Sequence, residues 1–143
     1  MSIKTIYYGV LTALSVVGGT IAQLLGGWDN YLAVLVFIIS ADYATGVICA
    51  LVWKKSPKTD NGAFESNASI KGLFRKIGIL LAVAIGYKLD SLAGTEFIRT
   101  AVITFFIAND GMSIVENLGI MGLPLPPALK NAFEALKGKS ETE

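Results

Sequence analysis

Apolar residues fall along this chain in long unbroken runs rather than in alternation, and the runs set the elements. The run from 30 to 53 holds one ionisable group of consequence, Asp42, near its midpoint. About 20 apolar residues cross a bilayer core as a helix, so the pattern predicts a span over 31–53. A carboxylate at the centre of such a helix costs about 2.5–3.5 kcal/mol on insertion scales, so Asp42 is expected to face protein, not lipid. Gly46 and Ala50 follow at four-residue steps on the same stripe. Small residues so spaced let a second helix come close. An earlier run, 5–26, carries no charge between Lys4 and Asp29. It is too long for a signal-peptide core and ends in no small-x-small cleavage pattern, so it reads as an uncleaved helix. The turn Gly26-Gly27-Trp28-Asp29-Asn30 puts Trp28 at interface depth.

Two further spans are predicted with charges in them. The third, 77–95, repeats Gly78, Ala82 and Gly86 at four-residue spacing, with Asp90 extending the stripe. That is the clearest close-packing face in the chain. The fourth, 97–119, carries Arg99 near its start, then Asp110, Ser113, Glu116 and Asn117. Positions 110, 113 and 117 share a face. Both spans need a helical core that shelters these groups.

Between and after the spans the pattern turns polar. Residues 54–76 form a basic loop whose middle, 56–62, is turn-rich. Its end, 69–76, reads as a short interfacial helix, with Leu73 and Phe74 dipping and basic side chains held at the phosphates. Lys54, Lys55, Lys71, Arg75 and Lys76 are the expected membrane-surface cations. Gly119, Gly122, Pro124, Pro126 and Pro127 stop the fourth helix. Ala128 to Leu136 predicts a short amphipathic helix, and 137–143 a disordered tail. The expected organisation is a transmembrane domain over 1–127 and a cytoplasmic helix and tail over 128–143. With both termini inside, ten of the twelve Lys and Arg residues lie on the cytoplasmic side and only Lys88 and Arg99 outside. The positive-inside rule therefore favours four spans with cytoplasmic termini over a three-span variant that would put one terminus outside.

Composition agrees. The chain is 53% hydrophobic and 16% charged, with mean hydropathy +0.60, too little charge for the surface of a soluble domain of this length. The expected class is an all-α integral membrane protein. One cysteine, Cys49, excludes an internal disulfide, and the chain has no histidine. The commonest general base and transition-metal ligand are thus missing, and no phosphate-loop or dinucleotide motif occurs. Nothing points to an enzyme, a cofactor, a bound metal or a nucleic-acid partner.

The acids Asp42, Asp90, Asp110 and Glu116, with Ser113 and Asn117, carry the remaining chemistry. They suit a polar lining or assembly face in an oligomer, or an ion path through a carrier. Equally, they suit pairing with Lys88, Arg99, Ser113 and Asn117 inside a helical bundle.

Several of these pieces recur together. Asp42-Tyr43-x-Thr45-Gly46, Gly72-Leu73-Phe74-Arg75-Lys76, Leu89-Asp90, Asn109 through Asn117 and Leu123-Pro124-Leu125-Pro126 stand in one order and spacing. Over about 35–135 this resembles the bacteriophage holin family, which also contains the clostridial toxin-release holins. Asp110 departs from the family's usual Glu, keeping the charge on a shorter arm, and the loop at 61–70 matches poorly. The resemblance implies an inner-membrane homo-oligomer that opens lesions for a murein hydrolase or toxin. Its motif residues here are Asp42, Gly46, Asp90, Asp110, Ser113, Glu116 and Asn117. Two other classes remain open: a small ion-coupled carrier, and a non-permeabilising antiholin or membrane scaffold.

Overall fold

The structure is a computed structural model describing residues 1–142. Five α-helices account for most of it, with no strand among the described residues. Helix α1 (Ile3–Leu24) starts on Ser2, whose hydroxyl accepts from the Thr5 amide. Asp29 caps α2 (Asn30–Ile48) in the same way, accepting from the Leu32 amide at 2.9 Å. Such caps satisfy donors that the first helical turn leaves free. The end of α2 passes into a π-helical turn, Cys49–Trp53, that stops at Lys54 with φ +51.

The loop then closes on itself through the Ser56 amide and the Gly62 carbonyl at 2.9 Å. Helix α3 (Ser66–Ala93) ends on Gly94 in the left-handed region, the usual glycine stop. It is followed by α4 (Ile98–Ile120) and α5 (Pro127–Thr142), the latter with proline at its first position, where a missing N–H costs nothing.

Helix α4 is the hub, packing on α2, α3 and α5. The core between them is Leu32, Leu35, Ile38 and Ile39 of α2, Ile79 and Val83 of α3, and Ile103 and Ile107 of α4. Leu25 joins it from the first turn. By contrast α1 buries none of its residues.

Three helices are long and apolar enough to cross a membrane: Ile3–Leu24, Asn30–Trp53 and Ile98–Ile120. The segment expected as a third span lies inside α3. No separate interfacial helix precedes it, since 66–76 continues into 77–93 without a break. Nothing between Ser66 and Ala93 caps or kinks the chain, and no proline interrupts it.

The C-terminal segment also differs from expectation. It is helical to Thr142, where a disordered tail was expected at 137–143; Glu143 lies outside the described residues. Nor is it a separate unit, because α5 folds back along α4. Of the apolar face expected from Leu129, Ala132, Phe133 and Leu136, only Phe133 and Leu136 are half-buried against the core. Phe133 sits over Gly111, where any side chain would overlap its ring. Leu136 reaches the level of Asn30, Thr104 and Ile107, so α5 carries the C-terminus away from the 121–126 turn. Gly111→Leu is therefore expected to unseat α5. Overpacking of about 1–3 kcal/mol should raise tryptic cleavage at Lys137 and Lys139 about tenfold. Unchanged cleavage would show that the Phe133–Gly111 contact does not hold α5.

Candidate functional site

Asp42, Lys76 and Asp110 come from three helices and meet in the middle of the bundle. Measured along each helix from Asp29, Asp90 and Arg99, which gather at one end, they lie about 17–21 Å in. The Lys76 ammonium donates to Asp42 Oδ2 and to Asp110 Oδ2, the latter at 2.5 Å. All three are buried, Asp42 and Asp110 at 1% exposure. Asn109 Nδ2 donates to Asp110 Oδ1 at 3.2 Å. Asp42 Oδ1 is left without a partner among the described residues, although Ser113, half-buried on α4, faces the same carboxylate. A second cation approaches from the loop: Lys58 Nζ stands 3.7 Å from Asp42 Oδ2 with its side chain 42% exposed.

Lys76, expected at the membrane surface, is thus corrected to the core. It is the only position among Lys71, Arg75 and Lys76 that turns inward, and two buried carboxylates hold it there. A lone buried lysine is expensive; one between two acids is compensated. Lys54, Lys55, Lys71 and Arg75 are exposed.

A polar layer continues from this cluster toward the π-turn. Asn117, 1% exposed, donates through Nδ2 to Thr45 Oγ1 at 3.0 Å. The Cys49 thiol donates to the Asn117 carbonyl at 3.3 Å. Gly46 leaves room for this layer, since a Cβ there would meet Lys58 Nζ at 3.5 Å and Asn117 Nδ2 at 3.8 Å. Ala50 is buried beside it. Tyr43 and Ser69 share a hydroxyl hydrogen bond of 2.5 Å that ties α2 to α3.

The other expected acids lie elsewhere. Asp90 works at the far end as the cap of α4. Its Oδ1 accepts from Thr95 Oγ1 at 2.6 Å and the Ile98 amide at 3.0 Å, and its Oδ2 from the Arg99 amide at 2.8 Å. Four free helix-start donors explain why an acid belongs there. Glu116 is exposed and joins no cluster. Of the small-residue stripe only Gly86 makes a close approach: a Cβ added there would lie 3.1 Å from the Arg99 α-carbon. Ala82 is half-buried, and Gly78 faces open space.

Near Asp90 lies a clamp that sequence reasoning missed. The Arg99 guanidinium, 8% exposed, donates to the Leu25 carbonyl at 2.5 Å, the Gly27 carbonyl at 3.1 Å and Asp29 Oδ2 at 2.7 Å. Gly26, with φ +91, sits against it; a Cβ there would lie 2.7 Å from Arg99 Nε. Two successive glycines at 26 and 27 were the available signal, since such a turn invites a donor to its exposed carbonyls. Lys88, the other outward cation, lies over the Tyr87 ring at 5.6 Å instead of pairing with an acid.

Comparison with known proteins places this geometry. The model of the bacteriophage holin family matches residues 19–138, which takes in the whole ionic cluster, the clamp and most of α5. The chain belongs to the bacteriophage holin family. Relatives agree in length as well as sequence. An uncharacterized protein of Listeria monocytogenes is 37% identical over 87% of this chain and 86% of its own. An uncharacterized 14.9 kDa protein from the nagH 3′ region of Clostridium perfringens is 33% identical over 96% of both. A protein of Bacillus phage phi105 named a probable holin is 27% identical over 82% of both. No solved structure matches. Holin-family chains are generally non-enzymatic membrane proteins, and the three long apolar helices of this chain fit a membrane protein.

Proposed function

We propose that the chain permeabilises the bacterial inner membrane as a homo-oligomer, opening lesions through which a murein hydrolase or a toxin passes. The observation that carries this reading is the Asp42–Lys76–Asp110 cluster, buried between three helices in a chain of the holin family. Within one closed bundle the Lys76 ammonium, with Lys58 approaching Asp42 from the loop, offsets the two carboxylates. When the helices part, the same groups offer water a polar surface where a bilayer otherwise has none, so the cluster favours both a tight state and a hydrated one. Helix α3 serves as the fourth span in this proposal. The N-terminus, the 54–65 loop and the 121–126 turn lie on the cytoplasmic side, where the positive-inside rule puts Lys54, Lys55 and Lys58. Asp42, Asp110, Ser113 and Asn117 are the polar lining. Asp90 supports it from the far end, and Glu116 faces a neighbouring copy.

Inducible expression in a bacterium that also makes a signal-less murein hydrolase tests this reading. Wild type should show a delayed, abrupt loss of membrane potential followed by hydrolase release. Asp42→Ala at matched membrane levels should shift the onset or abolish it. Depolarisation that is gradual or absent, without hydrolase release, would move a carrier or an antiholin to first place.

A further inference from the structure

Lys58 stands between two environments. On one side its ammonium reaches over Gly46 toward Asp42 Oδ2 at 3.7 Å. On the other it lines a cavity of about 410 Å³ between the 54–65 loop and the first half of α3. Lys71 and Arg75, one turn apart on α3, face Lys58 across this space; Asn67, Asp60 and Glu65 complete its polar lining. Beside the cavity the same stretch of α3 exposes Ile70 and Leu73 at 51% and Phe74 at 67%.

We propose that this cavity binds the headgroup of an anionic phospholipid carrying a singly charged phosphodiester and free hydroxyls, the phosphatidylglycerol class. Three cations line the space, a set suited to one phosphate, and arginine offers it a two-pronged donor set. The adjoining apolar side chains give the acyl chains a surface that a free phosphate would not need. Asp60 and Glu65 select among headgroups. They repel a doubly charged phosphate monoester but accept hydrogen bonds from glycerol hydroxyls. A headgroup also competes with Asp42 for Lys58. Binding and the buried cluster are therefore linked: a lipid that draws Lys58 outward leaves Asp42 and Asp110 with Lys76 alone, and the effect is reciprocal.

The test uses the full chain in neutral detergent, titrated with short-chain phosphatidylglycerol and short-chain phosphatidylcholine, with bound lipid counted by native mass spectrometry. Phosphatidylglycerol should bind in preference. Lys71→Gln/Arg75→Gln should weaken it about tenfold, as loss of charge-assisted hydrogen bonds implies. Lys54→Gln/Lys55→Gln removes equal charge outside the cavity and should cost less than about twofold. Asp42→Asn frees Lys58 and should tighten binding about threefold, a gain that Lys58→Gln in the same chain removes. Should Asp42→Asn fail to fold, Lys58→Gln alone must still weaken binding more than Lys54→Gln. Equal losses from the two double variants, an Asp42→Asn chain that binds as wild type does, or displacement by inorganic phosphate would each overturn the assignment.

Discussion

Lys76→Met should abolish stable membrane accumulation of the chain. The substitution keeps the side chain's length and removes the charge that Asp42 and Asp110 share. Both carboxylates are 1% exposed, and Lys58, 42% exposed, approaches only Asp42. Breaking a buried ion pair by removing one partner costs about 3–5 kcal/mol, a large part of the about 5–15 kcal/mol that holds a typical domain together. Neutralising the acids as well, in Lys76→Met/Asp42→Asn/Asp110→Asn, should restore accumulation and thermal stability while leaving the chain inactive. Membrane fractionation and a thermal melt in detergent read both effects. Wild-type levels and melting for Lys76→Met alone would show that the cluster is not a compensated ionic core.

Arg99→Met is the second large effect. The guanidinium holds two backbone carbonyls that no other described group reaches, those of Leu25 and Gly27, and leaving them without donors costs about 1–3 kcal/mol each where water is excluded. A loss of about 3 kcal/mol is expected, with little recovery in Arg99→Lys, because an ammonium cannot span the three acceptors in one plane. The same contact sets a pH dependence. The hydrogen bond from Arg99 holds the Asp29 carboxyl below the usual carboxylate range, with the Leu32 amide and the guanidinium charge adding to it against some desolvation. A lowered folded-state pKa means the pair contributes fully above the ordinary carboxylate value of about 3.9 and fades as pH falls through the lowered one. Wild type should therefore lose stability on the acid side, and Arg99→Met should show less of that slope. Parallel slopes in the two proteins would remove Asp29 from the account.

Much of this was legible in the residues, and the failures share a cause. Apolar runs located α1, α2 and α4 because long unbroken hydrophobicity admits few other structures. The same logic marked Asp42 as sheltered, since a carboxylate at that depth must find protein. Lys76 was misplaced because Gly72-Leu73-Phe74-Arg75-Lys76 reads locally as a basic flank. Only the third dimension shows that one of its cations points at two acids 34 residues away on either side. Asp90 and Glu116 looked equivalent to Asp42 by type, but a helix start claims the first and solvent exposure the second. In α5 the apolar face could be read, whereas its seat on Gly111 could not, because a glycine advertises nothing about what fills the space beside it. Helix α1 offered nothing comparable to read, for none of its residues is buried against the bundle.

That last helix divides the molecule thermodynamically. Arg99 and Leu25 fasten the elbow after α1 to the bundle, but from Ile3 to Leu24 no side chain of α1 is buried. No fully buried side chain couples α1 to the core, so the bundle's cooperativity is expected to stop at the elbow. The chain is expected to melt as two units: a core held by its own contacts, and a helix whose exposed apolar surface asks for a bilayer or a second copy to cover it. A single unfolding free energy does not describe such a chain.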